Sequence, residues 1–219
     1  MTRSIFITLG FEEKFAVRML TRHGLDRGDR VILLTGPRIE KVEKAISFVN
    51  NFISTYYPRE IEVRVEEIPI RNVYEAVGKL RKVIEEERRK SRSIVVNLSG
   101  GMRALIISTL IALSFIDGEN VTVELETEDS SALLKIPISL VKAPRILSEV
   151  KGRKMDVLKA LLSLGGEARA SEIAKFLNRD ESTVRKHLAK LEKLGIIEVE
   201  KEKPLSVRAR PIARIFLDI

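Results

Sequence analysis

The feature that most constrains this chain is an alternation. Short apolar runs of strand length recur between longer segments whose apolar residues return every three or four positions. Ile5-Phe-Ile-Thr-Leu, Val31-Ile-Leu-Leu-Thr, the stretch from Ile61 to Ile68, Ser93-Ile-Val-Val-Asn-Leu and the stretch from Val121 to Thr127 read as strands. Between them, segments from Phe11 to His23, Ile39 to Ser54, Val73 to Arg89 and Met102 to Ile116 carry the period of a helix. In the second of these, Val42, Ala45, Ile46, Val49 and Ile53 share one face. A strand returns parallel to its neighbour only through a long crossover, so repeated β-α units demand a largely parallel sheet between two helical layers. Ala132 to Leu140 reads as one more strand, joined to the previous one by the polar turn Glu128-Asp-Ser-Ser, and this last pair can lie antiparallel at the edge.

The pattern and the charge both change near residue 144. Residues 151–219 hold 16 Lys and Arg against 10 Asp and Glu, a net +6 of the chain's +8. Met155 to Leu164 is a helix stopped by Gly165-Gly166; Ser171 caps a short helix to Leu177; Asp180 caps a third that runs to Leu194, with Gly195 as terminator. Ile196-Ile-Glu-Val-Glu and Leu205-Ser-Val-Arg-Ala-Arg then alternate with period two around Lys201-Glu-Lys-Pro, the pattern of a β-hairpin. Three helices and a wing make a winged helix-turn-helix. The expected fold is therefore α/β: a Rossmann-like, mostly parallel sheet with antiparallel edge strands over residues 1–143, a polar linker over 144–154, and a small winged helix-turn-helix domain over 155–219.

Several function classes drop out. The 219 residues include no cysteine, which removes disulfides, thiolate metal sites and cysteine nucleophiles. The two histidines, His23 and His187, fall in different modules, so neither a Ser-His-Asp triad nor a histidine metal cluster can be assembled from them. His23, before Gly24, reads as a helix-end residue. Gly10 lacks a G-x-G-x-x-G around it, and Gly101-Met-Arg is no Walker sequence, so a dinucleotide cofactor and a P-loop are both unexpected. The longest uncharged run, Ala104 to Ile116, is too short to span a bilayer and reads as a buried core helix. No cofactor, metal or membrane partner is expected, and a cytoplasmic location is.

Two groups of residues remain as candidate sites. In the third helix of the basic module, Val184, Leu188, Leu191 and Leu194 recur at core spacing. Ser182, Thr183, Arg185, Lys186, His187 and Lys190 are left facing outward, with hydroxyls and an arginine near the start to reach base edges, lysines to meet phosphates, and His187 read as a surface residue near a phosphate. Lys201, Lys203, Arg208 and Arg210 on the wing add further positive charge. Winged helices also dimerise or dock proteins, so double-stranded DNA is the favoured partner and not the sole one. In the α/β module, ligands collect where the strand order reverses, between the first and fourth strands. The chain's two unusual loops follow those strands: Thr8-Leu-Gly-Phe-Glu and Asn97-Leu-Ser-Gly-Gly-Met-Arg. Gly10, Gly100 and Gly101 let backbone approach a ligand, and Ser99, Arg103 and a helix start favour an anion. The Gly-Gly pair would equally serve as an ordinary turn before a buried helix.

With these loops and a winged helix in one chain, the sequence resembles the archaeal CRISPR-associated transcription regulators that carry a CARF sensor domain. The resemblance implies a homodimer whose paired loops receive a cyclic oligoadenylate, usually cyclic tetra-adenylate. It assigns ligand contact to Thr8, Leu9, Gly10, Phe11, Asn97, Leu98, Ser99, Gly100, Gly101, Met102 and Arg103. Ser99 stands where a threonine is common in the family, and Met102-Arg103 where threonine and lysine are common. The function implied is a ligand-responsive DNA-binding regulator that performs no chemistry; the alternative is a ring nuclease that cleaves the ligand. Two-fold symmetry suits either, since a ring of identical nucleotides can meet the same loops twice across an axis.

Overall fold

A computed structural model describes residues 2–57, 60–118, 120–200 and 205–216. The chain divides into two compact units, Met1–Val141 and Lys142–Ile219. The first runs β1 (Arg3–Leu9), α1 (Lys14–His23), β2 (Arg30–Thr35), α2 (Glu40–Tyr56), β3 (Glu62–Glu67), α3 (Val73–Lys90), β4 (Ser93–Asn97), α4 (Arg103–Ser114), β5 (Val121–Glu126), β6 (Leu133–Ile136) and α5 (Ile138–Val141). Its sheet has the order β3-β2-β1-β4-β5-β6, parallel throughout except for the antiparallel edge pair β5–β6. The order reverses between β1 and β4, which lie side by side with Ile5 opposite Val95.

Both faces of this sheet are covered, and the central strands are accordingly apolar on both sides. Phe6, Ile32, Leu34 and Val96 pack with Leu80, Ile84, Leu105 and Leu113 of α3 and α4. Ile5, Ile7, Val31 and Leu33 pack with Met19, Leu20, Val42 and Val49 of α1 and α2. Two expectations need correction here. The strand foreseen over Ala132 to Leu140 ends at Ile136, because Pro137 has no N–H for the ladder and its carbonyl instead accepts from Leu140 and Val141, opening α5. The helix foreseen as buried all round is α4, whose Ile107, Ile111 and Phe115 are 55%, 39% and 50% exposed at successive four-residue steps.

The second unit runs α6 (Ala143–Glu149), α7 (Arg153–Ser163), β7 (Glu167–Arg169), α8 (Ala170–Phe176), α9 (Glu181–Lys193), β8 (Ile197–Glu200), β9 (Ser206–Ala209) and a 3-10 turn over Pro211–Phe216. Its antiparallel sheet has the order β7-β9-β8. Val157, Leu161, Ile173, Val184, Leu188, Leu191, Val207 and Phe216 form its core. The segment 144–154, expected to be a polar linker, holds a helix instead. Pro144 falls in the first turn of α6, where its missing N–H costs nothing, and Ile146 and Val150 are buried in this unit's core. The helix expected to be capped by Ser171 starts at Ala170 with Arg169 as its cap residue, and the Glu172 carboxylate accepts the Arg169 N–H at 2.7 Å. The short strand β7 had no signal of its own.

At the amino ends of β1 and β2, the first unit buries a carboxylate. Glu87 of α3 is 0% exposed and accepts from Arg30 Nε at 2.7 Å and from Ser4 Oγ at 3.0 Å. Burial pushes its carboxyl upward, but the hydrogen bonds from Arg30 and Ser4 and the fields of Arg30 and Lys90 outweigh burial and hold it below the usual carboxylate range. A lowered folded-state value stabilises the fold above the unfolded value, and that contribution is lost as pH falls through the folded one. Replacing Arg30 with Met removes the nearest cation from the buried carboxylate, leaving Lys90 at 3.4 Å and Arg64 at 3.8 Å, and should cost about 3 kcal/mol at neutral pH in denaturant titrations. The difference from wild type should shrink as pH falls through the folded-state value of Glu87 and the carboxylate is protonated; a pH-independent difference would mean that lost packing, not charge, is responsible.

Candidate functional site

The loops after β1 and β4 touch backbone to backbone. A Cβ added at Gly10 would lie 3.0 Å from Gly101 Cα, and one added at Gly100 would lie 2.8 Å from the Thr8 carbonyl oxygen. Gly101 also has φ +92, a conformation side chains disfavour. Beneath the crossing, Thr8 Oγ1 donates to the carbonyls of Gly100 at 2.5 Å and Asn97 at 3.2 Å. Asn97 Oδ1 accepts the Ser99 N–H at 3.1 Å, while its buried Nδ2 has no partner. Ser99 Oγ accepts the Glu126 N–H at 2.8 Å, tying the glycine loop to the end of β5. Met102 then turns the chain into α4 as an extended residue with no side-chain cap, so the first N–H groups of the helix stay open.

Over this crossing lies a cavity of about 630 Å³. Seven of the eleven ligand residues expected from the sequence line it: Gly10, Phe11, Ser99, Gly100, Gly101, Met102 and Arg103. The other four, Thr8, Leu9, Asn97 and Leu98, are at most 1% exposed and form the support beneath. Glu12, Phe15, Ala104, Ile106 and Glu128 also line the cavity and were not among the expected ligand residues. Glu12 and Phe15 lie on the helical side of a loop read only for its glycine. Glu128 comes from the β5–β6 turn, and nothing in the sequence places that turn beside the others. The electrostatics are mixed. Arg103 makes no ion pair among the described residues, while Glu12 is paired with Lys14 at 2.7 Å. The α4 N-terminus adds a partial positive charge.

A second layer of charge fixes the β5 side. Arg18 of α1 pairs with Glu126 at 2.6 Å and Arg22 reaches it at 3.4 Å. Burial raises the Glu126 carboxyl, and the hydrogen bonds from Arg18 and Arg22 more than reverse this, holding it below its ordinary range. His23, read as a helix-end residue, stands in the last turn of α1 with Nε2 2.8 Å from buried Glu124 Oε2. It is outside the cavity lining.

In the second unit, α9 buries Val184, Leu188 and Leu191 and turns Ser182, Arg185, Lys186 and Lys190 outward, with Thr183 half-buried. The foreseen cations are not equivalent. Arg185 is held by Glu181 at 2.6 Å, and Arg208 lies between Glu167 at 2.9 Å and Glu200 at 3.6 Å, with Glu198 opposite it in the ladder. Lys186, Lys190 and Arg210 make no ion pair among the described residues. Lys201 and Lys203 lie outside the described residues. The sequence did not single out Arg153, Lys154 and Arg179, whose charges act on His187 together with that of Lys190. Burial first, and those cations second, push the His187 imidazole below its usual value, and its Nδ1 is buried without a partner.

Residues 3–137 match the family model of the Csa3 CRISPR-associated Rossmann-like domain. The chain belongs to this family. Residues 150–213 match the model of the sugar-specific transcriptional regulator TrmB, which covers the winged unit that follows the Csa3-type domain. Among individual relatives, a CRISPR locus-related Csa3 protein of Saccharolobus solfataricus, whose name describes it as an inferred DNA-binding protein, is 29% identical over 199 residues, 89% of this chain and 79% of the relative. A solved structure, protein VC1899 from Vibrio cholerae, matches 98% of this chain at 12% identity and a TM-score of 0.49; the chain spans 63% of its length.

The crossing in the Csa3-type domain sets a clear expectation. Gly100→Ala drives a Cβ against the Thr8 carbonyl and should lower stability by about 1–3 kcal/mol in thermal or denaturant unfolding. Gly78→Ala, mid-helix in α3 with nothing within 4 Å of the added Cβ, should instead stabilise by about 0.5–1 kcal/mol. Equal effects at the two positions would show that the loop contact is loose.

Proposed function

We propose that the protein is a homodimeric, ligand-responsive DNA-binding regulator of CRISPR-associated genes. Its α/β unit senses a cyclic oligoadenylate, with cyclic tetra-adenylate the first ligand to test. Its winged unit reads double-stranded DNA, and the chain carries out no reaction on the ligand. The observation that carries the sensing half is the convergence of both glycine loops, the unpaired Arg103 and the open end of α4 on one cavity at the strand-order reversal. Such a place offers a phosphodiester a cation, free N–H groups and backbone without Cβ obstruction.

The dimer is supported by α4. Arg103 at its start lines the cavity, and Ile107, Ile111 and Phe115 form an exposed apolar stripe along the same helix, with Arg81 5.8 Å from the Phe115 ring and Tyr74 of α3 89% exposed. Apolar surface of this kind is costly in a monomer. A two-fold pairing through it sets two cavities beside one axis, the arrangement a symmetric ring needs. DNA as the partner is supported by the TrmB match, by the name of the Saccharolobus solfataricus relative and by the exposed hydroxyls and unpaired lysines of α9. Ligand and DNA affinities are then coupled reciprocally, whichever the sign.

Arg103→Ala should weaken cyclic tetra-adenylate binding about tenfold or more in calorimetry without lowering the melting temperature. The wild-type protein should return the ligand intact by mass spectrometry and shift a promoter fragment whose affinity changes when ligand is added. Absence of ligand binding by the folded wild type would overturn the sensing half. Linear products would replace it with the ring-nuclease reading.

A further inference from the structure

We infer that the DNA-binding surface of the winged unit extends past α9 onto the start of α7, where Arg153, Lys154, Arg179 and Lys190 around His187 form a seat for a backbone phosphodiester. The inference rests on the DNA-binding reading above and adds residues that the recognition-helix pattern does not contain. Its first support is a local arrangement that works against the free domain. Cations at a helix N-terminus oppose the macrodipole, yet α7 begins with Arg153 and Lys154 behind Gly152, which has φ 58, ψ −130 and no capping side chain. Arg153, Lys154 and Lys190 make no ion pair among the described residues; of the four, only Arg179 has one, with Asp156 at 3.2 Å. Four cations thus share one carboxylate. Crowding of four cations around a single carboxylate favours binding of a polyanion, whose charge relieves the repulsion.

The second support is His187. It stands on α9 one turn before Lys190, on the flank that meets α7, and its buried Nδ1 has no partner. The charged groups around it are Arg153, Lys154 and, through its pair with Arg179, Asp156 on α7; Arg179 in the α8–α9 turn; and Lys190 on α9 itself. Burial is the main reason the ring disfavours a proton and persists in the complex, but the field of the cations, which adds to it, weakens when a phosphate sits among them. The imidazole then takes one proton from solvent and gains one positive charge beside the anion. Because Lys190 lies one turn beyond Lys186, the seat is continuous with the outward face of α9, which points to a phosphate of the bound duplex and not to a free ion.

The test uses the full chain, a promoter duplex, a scrambled duplex and inorganic phosphate as competitor, read by fluorescence anisotropy across a salt series. The Arg153→Gln/Lys154→Gln protein should bind both duplexes roughly tenfold more weakly, with the salt slope reduced by about 2, because lost phosphate contacts are blind to sequence. The charge-keeping Arg153→Lys/Lys154→Arg protein should bind like wild type, which separates charge from folding. Wild-type affinity should rise as pH falls from about 8 to about 6, and His187→Gln should lack that increment while retaining binding at the higher pH. If the double Gln protein binds like wild type while Lys186→Ala is weakened, the seat is refuted and the DNA reading stands. If wild type binds neither duplex, the DNA reading itself fails and takes this inference with it. Competition by inorganic phosphate at concentrations that do not act through ionic strength would reassign the seat to a free anion.

Discussion

Where the chain leaves β1 and β4, Gly10 meets Gly101 and Gly100 meets the Thr8 carbonyl with no side chain between them, and the carboxyl edge of the sheet is organised by that contact. The two strands are parallel neighbours, but their following helices pack on opposite faces: α1 against Ile5 and Ile7, α4 against Phe6 and Val96. A crevice therefore opens between the two exits. Its floor is the glycine crossing, held from below by the Thr8 hydroxyl and from the side by Ser99, whose Oγ accepts the Glu126 N–H at the end of β5. Side chains larger than hydrogen at these positions would force the loops apart and remove the floor.

Charge is treated differently in the two units, and the difference follows from burial. In the α/β unit, carboxylates at both ends of the sheet are buried and each has a basic partner: Glu87 with Arg30, Glu124 with His23, Glu126 with Arg18. Unpaired, each would impose a large desolvation cost. The Glu124 and Glu126 pairs fasten α1 to β5 on the crevice side, and the Glu87 pair fastens α3 to β2 at the opposite end of the sheet. In the winged unit the unpaired cations are exposed or half-buried, so water tolerates them in the free protein, and their crowding stands out because folding has no use for it. In the sheet of that unit, Arg208 is held by glutamates on both adjacent strands.

Much of this was legible in the order of residues. Period-two and period-3.6 apolar patterns reflect which side of each element faces a core, so β1 to β5, α1 to α4 and the three helices of the winged unit could be read before any contact was known. The glycine loops were visible because only glycine tolerates such backbone approach. The misses have equally local causes. The 144–154 segment looked polar, yet Ile146 and Val150 suffice to bury α6 and the turn after it. The α4 sequence is apolar on every side, and apolarity alone does not distinguish a helix enclosed by its own fold from one with a face left open. Arg185 and Arg208 looked like free cations because the glutamates beside them are partners only once the helix turn and the ladder register exist.

The sequence by itself determined the α/β alternation, the two glycine-bearing loops after the first and fourth strands, and a basic winged module, since these depend on periodicity and on backbone freedom that single residues encode; that the strand order reverses beside those loops is a property of the folded sheet. Tertiary structure decided which loop residues line the cavity and which support it, that Glu12 and Glu128 share it with Arg103, and that Arg153, Lys154 and Arg179 gather around His187. Those are distances between groups far apart in the chain. Coulomb forces and desolvation depend on such distances and on burial, and the sequence carries them only through the fold.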